Sequence, residues 1–350
     1  MESLARLDDE KAFQYLGSLI DSAFHLGRPE GTDKALAWSD ELEVRPLSAA
    51  NQMLLDYFRA NAWENRKNLH IHDKEKAWRW TQPEALQQIL FLRRAVRRAE
   101  FPQWESVRQA EVLTNLANQL NTLGRFVEAL NYWTRALVVR QNFGMALGNR
   151  GLALSIYARA LFDNGHKRIF LLFSHHDLSA ALSESAYYES EQDAPAKNAF
   201  RQRKEEIEAL ITIPKGKEPP KLHEHSIGDT DEERRYRQWV LYEKLFLTPL
   251  NDLGYHSIAA CDTFTLPSFV TAINEPPTWI GFFNQMKQEY VSARWMLYEG
   301  MQVSAPHFSD KNVTLYNTLD YPSYSLAVER TKSAFRTAYS LFDKIGFFLK

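Results

Sequence analysis

Through most of residues 1–213, apolar side chains recur at steps of three and four residues, and Gly and Pro are sparse within the segments. That spacing places apolar residues on one face of an α-helix. One such face contains Leu86, Ile89, Leu90 and Leu92. Successive helices of this kind must bury their apolar faces against one another, so the pattern predicts packed antiparallel hairpins.

A repeated unit between residues 112 and 143 sharpens this prediction. Its two helices are separated by Leu123-Gly124, and their stripes are Leu113, Leu116, Ala117, Leu120 and Ala129, Trp133, Ala136, Leu137. Small residues let the helices approach, and large ones fill the space between them. Leu147 lies 34 residues after Leu113 and opens a second unit. This order of small and large residues resembles a tetratricopeptide (TPR) repeat. An ordinary helical bundle is the alternative. A degenerate unit is also expected over Leu16–Trp38, with a loop at Arg28–Asp33.

The main domain boundary is predicted at residues 214–233, which contain three Pro, two Gly and dense charge. Such a composition is typical of a linker or exposed loop. The chain therefore divides into residues 1–213, the linker, and a second helical domain at 234–350. Thr230, followed by acidic residues at 231–233, predicts a helix start at the end of the linker.

Two long helices are predicted in the second domain, one around Phe283–Leu297 and one over Leu326–Lys350. The last is apolar on more than one side and has no stop signal after it. We expect a partner to bury Phe342, Phe347 and Phe348, or the natural chain to continue past residue 350.

Three phrases of this domain carry a family resemblance: LNDLG (250–254), FNQMKQEYVSARWMLYEG (283–300) and PSYSLAVERTKSAFRTAYSLFDKIGFFL (322–349). They resemble a branch of the HEPN superfamily that follows degenerate TPR-like helices in prokaryotic proteins. The resemblance covers roughly residues 235–350. It implies an all-α chain, with a TPR-like antiparallel hairpin array before a HEPN-like bundle that dimerises. It also implies the activity of many members, a metal-independent RNA endonuclease in defence or toxin systems.

The family's active site is an Arg, usually followed by a polar residue, and then a His that is separated from the Arg by four to six residues. His handles the 2′-hydroxyl or leaving-group proton, and Arg stabilises the phosphate charge. No His follows His307, so the HEPN-like region lacks this pattern. Either the catalytic helix lies beyond residue 350, or the domain binds without cutting. Elsewhere the spacing occurs at three pairs, which are weak catalytic candidates against ordinary helix-surface residues: Arg66/His72, Arg159/His166 and Arg168/His175.

Four arginines on one helical segment form a candidate nucleic-acid surface: Arg93, Arg94, Arg97 and Arg98. Residues four apart stack like charges on one side, which costs helix stability and sometimes marks phosphate contact. The alternative is a solvated face with acidic partners nearby.

Four polar residues on the first helices of the repeats are candidate partner-binding residues: Asn115, Asn118, Asn149 and Arg150. These positions often face the ligand in such arrays. They would line an exposed groove if the protein were a simple peptide-binding repeat protein.

Several classes of protein are disfavoured. The net charge of −2 argues against a polybasic protein, and the single cysteine, Cys261, permits no intramolecular disulfide. Phosphate-loop, dinucleotide-loop, zincin and hydrolase motifs do not occur. The His pairs 70/72, 175/176 and 223/225 have the wrong spacing for one helix face, so we expect no metal and no cofactor. Arg294, which has Glu289 and Glu299 on the same helix, is expected to form a structural ion pair; the alternative is a functional charge in the HEPN-like core.

No signal peptide opens the chain, and no apolar run approaches the length of a membrane helix. We therefore expect a soluble cytoplasmic protein without membrane contact. The leading hypothesis is an RNA endonuclease active as a full-length HEPN dimer, whose TPR-like half senses a protein partner. The alternative is a non-catalytic scaffold or inhibitor that binds a protein partner.

Overall fold

The computed structural model describes residues 4, 6–70, 81–189, 194–214, 220, 222–268, 270, 274, 276–302, 305–316 and 324–349. The chain divides into two compact units, residues 1–221 and 222–350. Across the described ranges the regular elements are all helical, and the one strand-type contact is an isolated bridge between Phe143 and Tyr187. The prediction of an all-α chain is therefore confirmed.

The first unit contains nine described α-helices, each packed against the next one described. They are α1 (Asp9–His25), α2 (Pro29–Glu43), α3 (Ala49–His70), α4 (Pro83–Arg97), α5 (Ser106–Thr122), α6 (Phe126–Val139), α7 (Gly144–Ala160), α8 (Asn164–Ala181) and α9 (Ala194–Leu210). Helix α5 also contacts α7, and α7 also contacts α9. First helices of successive hairpins thus lie side by side.

The α5–α6 hairpin follows the predicted repeat. Leu113 and Ala117 of α5 are buried against α6, where Trp133 is 1% exposed. Gly124 follows the end of α5 with φ of +76°, a left-handed backbone that glycine adopts without steric cost. The tight turn between the two helices therefore depends on this glycine.

The predicted loop at residues 28–33 is mostly helical instead. Helix α2 begins at Pro29, which leaves a connection of only Leu26, Gly27 and Arg28. Proline is favoured at the first helical position because its fixed φ suits a helix and its missing N–H would be unpaired there.

The second unit contains α10 (Asp231–Tyr242), α11 (Thr278–Gln302) and α12 (Leu326–Phe348) among its described residues. The predicted start of α10 is confirmed, because Thr230 Oγ1 accepts a hydrogen bond from Glu233 N at 3.1 Å. Helices α11 and α12 form the long antiparallel hairpin of this unit. Short 3₁₀ turns lie at residues 249–252, 257–259 and 308–310.

The α11–α12 hairpin is fixed at both ends and in the middle. At one end, Phe348 packs on the rings of Trp279 and Phe282. In the middle, Lys344 pairs with Glu289. At the other end, a Cβ built on Gly300 would lie 3.0 Å from Ala327 O, so the two helices approach too closely there for a larger residue without a shift.

Arg294 is the central buried charge of the second unit. Its guanidinium donates to both carboxylate oxygens of Asp262, each at 2.8 Å, and to Leu245 O at 2.8 Å. The prediction that Arg294 pairs with Glu289 or Glu299 is wrong. Their carboxylates pair with Lys344 and Arg330 of α12, because Arg294 faces the loop that precedes α11.

Candidate functional site

A cleft of about 410 Å³ lies between the C-terminal end of α11 and the N-terminal end of α12. We call it the α11–α12 cleft. Its lining includes Gln302, His307, Phe308, Leu326, Ala327 and Arg330. A titratable imidazole, a guanidinium and an exposed aromatic ring thus share one concave surface.

Asp310 explains how these residues come together. Its two carboxylate oxygens accept hydrogen bonds from Leu326 N at 3.2 and 3.0 Å. An acidic side chain at a helix N-terminus satisfies a free N–H and complements the helix dipole. This contact fastens the turn that carries His307 to the start of α12. Arg330 lies one helical turn after Leu326 and therefore on the same side of α12.

The tautomer of His307 follows from its neighbours. Nδ1 accepts a hydrogen bond from Ser309 N at 3.2 Å and lies 2.8 Å from Ser309 Oγ. A backbone N–H can only donate, so Nδ1 is the acceptor and the neutral ring carries its proton on Nε2. Nε2 is then the ring atom that can donate a proton to a ligand.

The ion pair of Arg330 is weak enough for its guanidinium to bind an anion. Its nearest carboxylate is Glu299, with Nη1 3.6 Å from Oε1, and both side chains are about one third exposed. Exposed pairs of this kind contribute little stability. A guanidinium has five N–H donors in a planar fork that suits phosphate oxygens.

Phe308 adds an aromatic surface to the cleft. Its side chain is 75% exposed, and its ring centroid lies 4.0 Å from that of His307. Exposed aromatic rings beside cationic groups are the combination that binds single-stranded nucleic acid, by stacking on bases while the cation takes the phosphate. The cleft thus places a group that can bind an anion beside a ring on which a base could stack.

No local spacing in the sequence predicts this cleft. In the family pattern His follows Arg on one helix, whereas here Arg330 comes 23 residues after His307 and lies on a different element. One signal was available, because His307 is the only histidine in residues 270–350.

The predicted Arg66/His72 pair is only half described. Arg66 Nη1 lies 3.5 Å from Asp33 Oδ1, and its guanidinium lies over the ring of Trp63. His72 lies outside the described residues. The catalytic role of this pair stays a prediction.

In the Arg159/His166 pair, each partner has its own carboxylate. Arg159 lies 3.7 Å from Glu206, and His166 Nδ1 lies 3.7 Å from Asp163. The two residues lie at opposite sides of the α7–α8 connection. Their role as a pair stays a prediction.

Arg168 and His175 both lie on α8 and both reach toward the α9 segment. Arg168 Nη2 donates to Thr212 O at 3.4 Å, and His175 Nε2 lies 2.9 Å from Glu208 Oε1. These contacts join α8 to α9 and to Thr212, which follows the end of α9. Catalysis by this pair also stays a prediction.

Three arginines of α4 and Arg98, which directly follows the helix, are mostly engaged within the first unit. Arg93 pairs with Glu128, and Arg94 lies 3.4 Å from Glu43. Arg98 Nη2 lies 2.8 Å from the carboxylate of Asp56, which is buried. Arg97 is exposed. The acidic partners compensate the like charges on this helix, and Arg97 is the most available for a phosphate.

The predicted groove residues form an internal network. Asn118 Oδ1 accepts hydrogen bonds from Trp133 Nε1 at 3.0 Å and from Asn149 Nδ2 at 3.1 Å. Arg150 binds both carboxylate oxygens of buried Asp177, at 2.6 and 2.8 Å. These side chains join α5 to α7 and α7 to α8. Each is half-buried, as is Asn115, so one side of each is still accessible.

The predicted apolar partner residues of α12 divide into two groups. Phe348 packs within the unit on α11. Phe342 and Phe347 are 71% and 67% exposed. Phe342 continues a row of exposed rings with Phe335 and Tyr339, whose centroids are 6.1 to 6.4 Å apart along the row. We call Phe335, Tyr339 and Phe342 the aromatic stripe.

Comparison with known families finds a match for part of the second unit. Residues 270–350 match the family described as LA2681-like HEPN, and the chain therefore carries a HEPN-like domain in this region. The cleft residues His307 and Arg330 lie within the match. No curated protein and no solved structure matches the chain. The family match does not extend to the first unit, whose TPR-like identity stays a prediction.

Two further observations concern the described part of the chain only. None of its helices combines the length and the apolar character needed to cross a bilayer. Its His, Cys, Asp and Glu side chains form no group of three or more that could hold a metal ion.

Proposed function

We propose that the protein is an RNA endonuclease whose active site is the α11–α12 cleft. The observation that supports this most is that His307 and Arg330 share one cleft inside the region that matches a HEPN family. His and Arg are the residue types that HEPN nucleases use, here brought together from two elements instead of one.

The proposed reaction is transesterification within the RNA strand. The 2′-oxygen loses its proton and attacks the adjacent phosphorus, the bond from phosphorus to the 5′-oxygen breaks, and that oxygen takes a proton. The products are a 2′,3′-cyclic phosphate and a 5′-hydroxyl. His307 gives the proton on Nε2 to the 5′-oxygen as the bond from phosphorus to that oxygen breaks. Arg330 stabilises the charge that develops on the phosphoryl oxygens.

The proposed reaction also requires a second copy of the chain. The reaction needs both a base and an acid, and one copy offers a single histidine in the region 270–350. The aromatic stripe on α12 supplies an apolar surface for pairing, since its three side chains are each more than 60% exposed. Apolar surface of this kind marks an interaction site.

The first unit would then detect a partner protein. Under this proposal residues 1–213 form the TPR-like array and residues 214–233 the linker. Asn115, Asn118, Asn149 and Arg150 present their accessible sides to the partner. The setting would be a cytoplasmic defence or toxin system in which partner binding controls cleavage.

The test is cleavage of total RNA and tRNA in EDTA by the purified chain. His307→Ala and Arg330→Ala should each reduce the rate by about a hundredfold or more, as expected for loss of a proton-transfer group or a charge stabiliser. Arg336→Ala is the matched control, because Arg336 is exposed on the same helix and does not line the cleft. Cleavage that persists in His307→Ala would refute this site and make Arg66/His72, Arg159/His166 and Arg168/His175 the next pairs to test.

A non-catalytic scaffold or inhibitor is the second candidate. It is favoured by the lack of an Arg-x4–6-His pattern in residues 270–350 together with the exposed aromatic stripe. A folded chain that cuts no RNA but binds a protein through α12 would support this function over the first.

A further inference from the structure

We infer that the first unit binds a small amphipathic anion in a cavity between α7, α8 and α9. The cavity has a volume of about 270 Å³ and is separate from the α11–α12 cleft. Its wall combines three cationic side chains, Arg159, Lys167 and Arg203, with one carboxylate, Glu206. We call it the cationic cavity.

The positive charge of the cationic cavity is only partly neutralised. Glu206 Oε2 pairs with Arg203 Nη1 at 2.6 Å but lies 3.7 Å from Arg159. Among the described residues, the ammonium group of Lys167 has no carboxylate within ion-pair distance. The lining thus keeps an excess of two positive charges, and an anion would complete it.

Arg203 carries an unsatisfied hydrogen-bond donor beside the cavity. Its Nε is buried and has no hydrogen-bond partner among the described residues. A buried N–H without an acceptor is costly, and nearly all such groups in native proteins are paired. Because Nε is closed off from solvent, an anion in the cavity would bind the guanidinium through its Nη groups instead.

The rest of the wall is aliphatic, which defines the other part of the ligand. Leu171, Ile207, Leu210 and Ala158 line the cavity, and none of the described residues that line it is aromatic. Aliphatic walls favour a saturated chain over a stacked ring. The volume corresponds to about nine water-sized groups. The ligand class is therefore a single anionic head, carboxylate or phosphate, on a short aliphatic chain.

The helices position these groups by simple periodicity. The lining residues of α9 fall at 203, 206, 207 and 210, and those of α8 at 167 and 171. Steps of three and four keep them on one face of each helix. A cavity built from the consistent faces of three helices is preformed, so ligand binding requires little ordering.

The test is isothermal titration of the full chain with octanoate and with octyl phosphate, with 1-octanol as the uncharged probe. Octanoate or octyl phosphate should bind and raise the melting temperature, and 1-octanol should not. The tighter of the two anions identifies the head group. Arg203→Gln and Lys167→Gln should each weaken binding about tenfold or more, the loss expected for one charge-assisted hydrogen bond.

Arg201→Gln is the matched control, since Arg201 is exposed on α9 and does not line the cavity. It should bind as the unmodified chain does. If Arg203→Gln fails to fold, Lys167→Gln decides alone. Absence of binding by both anions would overturn the inference, as would binding that both cavity variants retain in full. RNA cleavage plays no part in either readout, so this result is independent of the proposed nuclease.

Discussion

Arg294 and Asp262 are joined by two parallel N–H···O hydrogen bonds of 2.8 Å, which tie α11 to the loop that precedes it. The guanidinium is 4% exposed, and it also donates to Leu245 O and to the hydroxyl of Tyr236. One buried cation therefore organises the aromatic interior of the second unit. The candidate site lies at the C-terminal end of the same helix.

Asp262→Asn is expected to destabilise the second unit by about 3–5 kcal/mol, because it leaves the buried charge of Arg294 without its counter-ion. Hydrogen exchange of the α11 and α12 amides measures this loss in the whole chain. Lys332→Ala, which breaks an exposed pair with Glu329, is the control and should cost about 1 kcal/mol or less. Equal effects of the two variants would contradict the account.

The same pair predicts an acid sensitivity. Burial raises the pKa of Asp262, but the hydrogen bonds from Arg294 and Leu247 N, together with the charges of Arg294 and Lys287, outweigh it and hold the pKa below its usual 3.8. A carboxyl whose pKa is lowered by folding adds stability above its unfolded pKa and loses it as the pH falls through the folded pKa. Stability of the second unit should therefore drop below about pH 3.8, and Asp262→Asn should remove that part of the drop.

Glu111 predicts the opposite dependence in the first unit. Burial and a hydrogen bond with Glu189 raise the pKa of Glu111 from 4.5 to about 8. A carboxyl whose pKa is raised adds stability that is complete below the unfolded pKa and is lost as the pH rises through the folded pKa. Glu111→Gln should match the unmodified chain near pH 4.5 and exceed it in stability above about pH 8.

Thermal melts across this pH range test the Glu111 prediction. Glu205→Gln on exposed α9 surface is the control and should leave the pH profile unchanged. A Glu111→Gln profile that parallels the unmodified profile would contradict the assignment.

Gly300 should be intolerant of a side chain. A Cβ there would lie 3.0 Å from Ala327 O and 2.6 Å from Thr331 Oγ1, so Gly300→Ala should push α11 from α12 and lower stability by about 1–3 kcal/mol. Gly346→Ala is the matched control, because nothing lies within 4 Å of its Cβ position. It should stabilise α12 by roughly 0.5–1 kcal/mol through helix propensity. Urea unfolding measures both changes, and a stabilising Gly300→Ala would contradict the close approach.

The aromatic stripe predicts the assembly state. Phe342→Glu places a charge in the stripe and should convert dimers to monomers in analytical ultracentrifugation. Leu315→Glu is the control, since Leu315 is also exposed in this unit but lies outside the stripe. Dimers that survive Phe342→Glu would show that the chain pairs through a surface other than the aromatic stripe.

Helical periodicity was sufficient to predict much of the fold. The buried stripe of α5, the turn at Gly124 and the cap at Thr230 follow from local rules about apolar spacing and helix ends. The α11–α12 cleft does not follow from such rules. It depends on the contact between Asp310 and Leu326 N, which brings two distant segments together and has no spacing signature in the sequence. The partner of Arg294 was missed for the same reason, because Asp262 comes from a loop rather than from the same helix face.

The most direct test of the central claim is the chemistry of the RNA ends that the purified chain produces in EDTA. Attack by the 2′-oxygen under the control of His307 and Arg330 predicts 2′,3′-cyclic phosphate and 5′-hydroxyl ends, and no cleavage of the same strand made with 2′-deoxyribose. Ends with a 3′-hydroxyl and a 5′-phosphate, or cutting of the deoxyribose strand, would contradict the claim.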